Sequence, residues 1–375
     1  MRNIQNLFDE IEPFNHKSSG NYLKQKIRIK DRQFSSKSIF KILEHIKWMK
    51  INNLKNCKLK IVVESLIISD EATLMVFETI IYYVIKYEKI KISYMFNVNK
   101  NLIGYEMFKL SNLSIFNNLP IREEKYTKLY EVKFYLYQNH FRKLCENNPG
   151  NLDNNYLSIT MSEISTFLYS FSIDDNYISD LSEVITEIVG NTIEHSDSDC
   201  LLDIKILENK KGRYKFLNVT TLSLGNIFIG TKLKDYINNP DKSGYNTSNE
   251  IVIEAYNKHK DKFNGEYDID SFSTISAFQK YVTTRSNSEG TGGSGLTTLI
   301  KALIEKSDGN YCYMLSGKDI IFFADPYLEL TIDGLIGFNN QNDYINEIPD
   351  VKAVTKSKYR FNATIYNLAF FLKER

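Results

Sequence analysis

The sequence predicts a mixed α/β (α+β) protein with two domains. Apolar residues between Leu59 and Met95 follow a strand, helix, strand pattern, and those between Leu181 and Ile193 recur at helical spacing. Between them, Glu146 to Tyr156 reads ENNPGNLDNNY, a cluster of turn-forming residues that is typical of a linker. A chain of 375 residues is long enough for two hydrophobic cores, so we expect a small domain over 1–148 and a larger one over 156–375.

Three segments of the first domain form one βαβ unit. Leu59 to Val63 is predicted to be a strand, Ala72 to Tyr87 a helix, and Ile90 to Met95 a second strand. The apolar stretch from Thr73 to Tyr87 contains Glu78 and is too short to span a bilayer. We therefore expect a buried amphipathic helix there.

The turn Ser69-Asp70-Glu71 before this helix resembles a STAS-type module of the anti-sigma antagonist kind. Glu71 and Ala72 stand where that family has its phosphoacceptor serine pair. The resemblance implies a regulatory domain that binds a protein partner. The same pattern also fits any other small α/β domain.

The helix of the second domain carries polar residues along one edge of its apolar stripe. Glu187, Asn191 and His195 stand four residues apart, so their side chains point in similar directions. An amide oxygen is a hard ligand for magnesium, and a carboxylate one turn away can deprotonate a water molecule. A solvated helix face without chemistry is the alternative. The stripe consists of Leu181, Val184, Ile185, Ile188, Val189 and Ile193.

A glycine-rich segment, EGTGGSGL, precedes another apolar helix pattern. Backbone N–H groups of such a segment and the helix N-terminus can bind phosphate. The spacing of Gly290, Gly292 and Gly295 matches a dinucleotide fingerprint, but the preceding TTRSNSE is polar where a buried strand is required. A Walker A loop is excluded because no Gly-Lys-Ser/Thr follows.

In this order, the two segments resemble the GHKL superfamily, the ATP-binding fold of gyrase, heat-shock chaperone, histidine kinase and MutL-type proteins. Glu187, Asn191 and Glu194-His195-Ser196 are similar to its N box. The strand Phe361 to Tyr366 resembles the last strand of that fold, whose threonine, here Thr364, lies near the adenine. The resemblance covers 156–375 and implies a Bergerat-type two-layer α/β sandwich with ATP and magnesium as cofactors.

The same resemblance assigns roles to individual residues. Glu187 would be the general base, and Asn191 the magnesium ligand, with His195 beside them in the N box. The phosphates would be held by the glycine-rich box, which consists of Gly290, Thr291, Gly292, Gly293, Ser294, Gly295 and Leu296.

One motif departs from the family pattern. After the apolar strand Phe216 to Leu224, Ser223 stands where the family has an adenine-binding Asp, and Ile227 replaces the second glycine of Asp-x-Gly-x-Gly, of which Gly225 remains. A hydroxyl accepts a weaker hydrogen bond from the adenine amino group than a carboxylate does. Nucleotide selectivity is therefore open.

The segment from Lys232 to Glu289 is long and polar, with a helix predicted from Asn249 to Lys260. In the resembled fold the ATP lid lies here, and long insertions are tolerated because loop-closure entropy grows slowly with length. Arg285 could reach the terminal phosphate, although an exposed arginine on a loop fits equally well.

Composition limits the classes of partner. Lys and Arg total 47 against 46 Asp and Glu, so a net charge of +1 gives no overall electrostatic case for nucleic acid or anionic membrane and leaves only a local basic patch open. The N-terminus lacks a signal-peptide pattern. The four cysteines contain no C-x-x-C pair, which suits a reducing cytosol and argues against zinc or disulfides.

We therefore expect a cytoplasmic, magnesium-dependent ATPase or kinase-like switch that acts on a protein partner, and a homodimer is compatible with this. Two alternatives stay open: a non-catalytic interaction module, and a serine kinase acting on a STAS-like partner. A gyrase or MutL-type enzyme would need a further transducer domain after the nucleotide site. A histidine kinase would need an activated phosphoacceptor, and His140 in YQNHFRKL has no acidic residue after it.

Overall fold

A computed structural model describes residues 1, 3–13, 24–54, 57–65, 67–97, 103–132, 135–137, 139–147, 154–171, 173–195, 198–208, 215–239, 250–280, 282, 295–306 and 312–372. It confirms a mixed fold of helices and sheets. No helix within these residues is both long and apolar enough to cross a membrane.

The N-terminal half contains the predicted βαβ unit within a three-stranded parallel sheet of order β1-β3-β5. Each crossover moves one strand along in the same direction, so right-handed connections put α1 and α2 on one face of this sheet. A 3₁₀ helix, Ile4–Phe8, precedes the elements β1 Lys24–Ile29, β2 Gln33–Phe34, α1 Ser36–Ile51, β3 Lys58–Val63, β4 Ile67–Ile68, α2 Glu71–Lys86, β5 Lys91–Phe96, α3 Ile103–Leu110, α4 Asn112–Ile115 and α5 Glu123–Tyr130.

The C-terminal half is built on a six-stranded sheet of order β10-β11-β9-β8-β7-β6, in which all neighbours are antiparallel. Strands β6 and β7 lie upstream of residue 148, so this sheet begins before the expected domain boundary. The elements are β6 Tyr135–Tyr137, β7 His140–Cys145, α6 Asn154–Tyr169, α7 Asp175–His195, β8 Cys200–Glu208, β9 Lys215–Leu224, α8 Thr231–Asn238, α9 Glu250–His259, α10 Ile269–Ser276, α11 Gly295–Lys306, β10 Tyr313–Phe322 and β11 Val354–Phe371.

The six-stranded sheet is covered on both faces. Helices α6, α7 and α11 pack against one face of the sheet and form one hydrophobic core with it. Helices α1 and α2 pack against the other face and form a second core. The ring of Phe40 on α1, for example, lies 4.3 Å from that of Tyr359 on β11. The six-stranded sheet therefore belongs to the hydrophobic cores of both halves.

Helix α2 differs from the amphipathic helix that the sequence predicts. Every residue from Glu71 to Ile85 is buried, because the helix lies between the parallel sheet and the six-stranded sheet. Asp70 caps it by accepting a hydrogen bond from the Thr73 amide at 2.7 Å. The predicted position of the helix is confirmed, but it has no solvent-facing side.

Charged side chains fill the contact between α2 and the six-stranded sheet. Arg142 on β7 donates to both Asp203 oxygens on β8, at 2.5 and 2.6 Å, and its Nη1 lies 2.7 Å from Glu78 Oε2 on α2. About two turns earlier on the same face of α2, Glu71 accepts a hydrogen bond from Lys205 of β8. All five side chains are buried, so the two halves meet through an ionic network inside the molecule.

The stretch expected to form a polar lid is largely helical where the structure describes it. Helices α8, α9 and α10 bury Leu233, Val252 and Phe272 in the same core as α7. The helix expected from Asn249 to Lys260 is confirmed as α9. Apolar residues at helical spacing within this stretch explain the packing, because they bury against the core instead of extending into solvent.

Candidate functional site

Helix α7 is fixed by its capping residue and by its apolar stripe. Asp174 accepts hydrogen bonds from the amides of Asn176 and Tyr177, both at 3.1 Å, and so caps the first turn. All six residues of the predicted stripe are buried against the sheet. The stripe is therefore confirmed, and it sets the direction of the polar residues beside it.

Glu187 and Asn191 lie on the partly exposed edge of α7 and contact each other. The Asn191 Nδ2 donates to Glu187 Oε1 at 3.3 Å. Because the amide nitrogen faces the carboxylate, the amide oxygen points away from it and presents the hard ligand atom that magnesium prefers. His195 ends the helix, and its side chain and Ser196 lie outside the described residues.

The sheet beneath α7 carries a row of hydroxyl groups. Ser223 on β9 is directly opposite Thr364 on β11, so the two predicted adenine contacts lie side by side. Thr364 Oγ1 is 3.0 Å from Ser316 Oγ on β10, which also accepts from the Ile229 amide at 3.0 Å. The pairing extends one step further, where the Gly225 amide donates to the Asn362 carbonyl at 3.1 Å.

A second pair of hydroxyls lies next to this row on the same sheet face. Thr221 and Tyr366 are opposite each other, two residues from Ser223 and Thr364 along their strands, so all four side chains face the helix layer. Thr221 Oγ1 and Tyr366 Oη are buried and have no hydrogen-bond partner among the described residues. Each such group costs about 1–3 kcal/mol unless something satisfies it.

Helix α11 brings the end of the glycine-rich segment towards the same region. At its C-terminal residue, the Lys306 ammonium lies 2.8 Å from Asp180, and the Lys306 carbonyl is 3.5 Å from the Tyr177 hydroxyl, near the start of α7. The two helices pack against each other, so α11 runs back along α7. Gly295, the first residue of α11, therefore lies towards the C-terminal end of α7.

The first residues of α11 include another buried hydroxyl. Leu296 is half-buried, and Thr297 Oγ1 is buried with no partner within the part of the chain described. The other residues predicted to contact phosphates lie outside the described residues: Arg285, Gly290, Thr291, Gly292, Gly293 and Ser294.

The donor set fits magnesium only in combination with a phosphate ligand. Within the described ranges, no cluster of three or more His, Cys, Asp or Glu side chains could hold a metal ion. Magnesium typically binds through one or two protein oxygens together with substrate phosphates and water. Asn191 is suited to supply one such oxygen.

Sequence reasoning missed Thr221, Tyr366, Ser316 and Thr297. A signal was present for the first of these, because β9 reads KFLNVTTLSL and places four polar residues after Leu217 among apolar ones. Hydroxyls at alternate positions of a fully buried strand are unusual unless they bind something.

Comparisons with known proteins give no match: no family model, no curated protein and no solved structure is significantly similar to this chain.

Proposed function

We propose that this protein binds ATP with magnesium between α7 and the six-stranded sheet, in a Bergerat-type site of the GHKL kind. The observation that carries the proposal is the pair of buried hydroxyls, Thr221 Oγ1 and Tyr366 Oη, which lack partners among the described residues. They adjoin Ser223 and Thr364, the two residues that the family resemblance predicts to lie beside the adenine. A polar ligand there would satisfy groups that otherwise destabilise the fold.

The residues around this face would have separate roles in binding and hydrolysing the nucleotide. Asn191 would bind the metal through its amide oxygen, and Glu187 would accept a proton from a water molecule that attacks the terminal phosphate. The N-terminus of α11, which begins at Gly295, provides backbone N–H groups and a positive helix end for the phosphates. Magnesium, when bound, neutralises charge on the phosphate oxygens.

The fold offers a route from the nucleotide to a protein partner. Strands β9 and β11 carry the site on one face, and α2 of the N-terminal half packs against the same two strands on the other. We propose an ATPase or kinase-like switch of the reducing cytosol in which this half recruits the partner. A serine kinase that acts on a STAS-like partner is a narrower form of the same proposal.

A second candidate is a non-catalytic interaction module that retains the fold and binds nucleotide weakly or not at all. Ser223 and Ile227 favour it, because they replace the carboxylate and the glycine that this kind of site uses for adenine. Titration of the wild-type protein with ATP and magnesium separates the two candidates. Absence of binding at millimolar concentration would support the second one.

The proposal is tested by Asn191→Ala. This variant should bind ATP at least about tenfold more weakly than the wild type in magnesium, because the metal loses its side-chain ligand. Binding should be measured by calorimetry with and without EDTA. EDTA should weaken the wild type but change the variant much less.

Glu183→Gln is the matched control, since Glu183 is an exposed residue of α7 one turn before Glu187. It should bind ATP as the wild type does. Equal affinity of Asn191→Ala and wild type in magnesium would show that α7 is not the metal-binding helix.

A further inference from the structure

The outer face of the three-stranded parallel sheet carries a dense array of cations. Alternate residues of a strand share a face, and residues in register lie side by side. Lys24, Lys58 and Lys91 form one row across β1, β3 and β5, and Lys26 and Lys60 form the next row with Ser93. Arg28 extends β1 into a third row. We call the six charged residues the cationic face, and all of them are exposed.

Acidic residues are absent from these strands, which read KQKIRI, KLKIVV and KISYMF. None of the six cations makes an ion pair or side-chain hydrogen bond with another described residue. Four acids elsewhere in this half are engaged with other lysines: Asp31 with Lys41, Glu88 with Lys50, Glu123 with Lys89, and Glu131 with Lys86. Glu64 follows β3 at the end away from Lys58.

This arrangement of charges destabilises the folded protein when no ligand is bound. Like charges directly opposite each other on neighbouring strands destabilise a sheet, and parallel sheets are normally covered on both faces. Lysines at a sheet edge can prevent aggregation, but Lys58 and Lys60 lie on the central strand, where no edge needs protection. The pattern therefore indicates an anionic ligand.

We propose that the cationic face binds the phosphate backbone of double-stranded nucleic acid without sequence specificity. Lysines two residues apart on a parallel strand are about 6.6 Å apart, close to twice the axial spacing of about 3.4 Å between successive phosphates of one DNA strand. The strands present no aromatic side chain on this face, so they offer no platform on which single-stranded bases would stack. Protein interfaces are depleted in lysine and need an apolar centre, which the two lysine rows lack.

The test is duplex binding by the full chain and by a triple variant, Lys26→Gln, Lys58→Gln, Lys60→Gln. Anisotropy of a labelled duplex of about 20 base pairs should be measured between about 50 and 200 mM salt. We expect the variant to bind at least about tenfold more weakly. Its plot of log affinity against log salt should be shallower by about 2–3, since each lost phosphate contact lowers the slope by about 0.9.

The matched control removes the same charge elsewhere, at the exposed residues Lys128, Lys258 and Lys352, and should bind as the wild type does. Equal unfolding midpoints will show that both triple variants are folded. Equal affinity of the wild type and the face variant would overturn the proposal, as would tighter binding of a single strand of the same length. Binding to phosphatidylserine vesicles without duplex binding, or no binding to either, would also overturn it.

Discussion

At the scale of single residues, the candidate site depends on where polar atoms stand relative to an apolar framework. Glu187 and Asn191 are held by a helix whose opposite side is buried, so little freedom remains in their positions. Their mutual hydrogen bond sets which atom of Asn191 is available to a metal. The proposed function assigns metal binding to Asn191 and turnover to Glu187, and the two roles can be tested separately.

Glu187→Gln should separate binding from turnover. Glutamine has the same shape and still accepts a hydrogen bond from the Asn191 amide, but it cannot take a proton from water. We expect the affinity for ATP with magnesium to stay within about twofold of the wild type, while phosphate release slows about a hundredfold or more. A coupled phosphate assay and calorimetry on the same sample check this. Loss of binding together with turnover would mean that Glu187 has a structural role.

Sequence reasoning found part of this site. The spacing of Glu187 and Asn191 was sufficient, because a helix turns every 3.6 residues and its buried stripe fixes the orientation. The opposition of Ser223 and Thr364 depends on strand register over about 140 residues of intervening chain, which local patterns do not determine. Thr221 and Tyr366 were missed for the same reason.

At the scale of elements, α2 connects the two halves. It was predicted to begin and end within one residue of its observed bounds, because the Asp70 cap and the apolar run are local signals. Its burial on all sides could not be predicted, since that requires knowing that a second sheet packs over it. Glu71 and Glu78 face that second sheet, and their charges are balanced there by Lys205 and Arg142.

Arg142→Met should test how strongly this network holds α2. Removing the guanidinium leaves Glu78 buried without its cation and Asp203 with only the more distant Lys205 at 3.9 Å, so we expect the free energy of unfolding to fall by about 3–5 kcal/mol. Urea denaturation measures this loss. Lys86→Met on the same helix is the control, because its ion pair with Glu131 is about one-third exposed and should contribute at most about 1 kcal/mol. Similar losses for both variants would show that the buried network contributes little.

At the scale of the whole molecule, the two halves share the six-stranded sheet, whose first strands precede residue 148 and one face of which packs against α1 and α2. The sequence suggested a boundary in the turn-rich segment from Glu146 to Tyr156, where local composition changes. Strand β7, which ends at Cys145, pairs with β8, so one sheet contains strands from both sides of that segment. The position of a turn-rich segment does not show which sheet a preceding strand joins, because pairing is a long-range property.

The ionic network between α2 and the six-stranded sheet also affects how the free energy of unfolding depends on pH. Burial lowers the pKa of His140 to about 4, against the pull of Asp203, and the folded state therefore binds fewer protons at His140 than the unfolded state between about pH 4 and 6.5. Stability from this group falls as pH is lowered through that window. Burial raises the pKa of Glu71 to about 7 despite Lys205, so stability from Glu71 rises as pH is lowered from about 7 to 4.5.

Over the two units from pH 7 to 5, the two contributions have opposite signs and similar size, each about 1–2 kcal/mol, and in the wild type they nearly cancel. Glu71→Gln should therefore lose about 1–2 kcal/mol more than the wild type on going from pH 7 to 5, whereas His140→Gln should lose less by a similar amount. Urea denaturation of the three proteins at both pH values measures this, and comparing each protein with itself removes differences in baseline stability. If the free energy of unfolding changes by the same amount between pH 7 and pH 5 in all three proteins, neither Glu71 nor His140 has a shifted pKa in the folded protein.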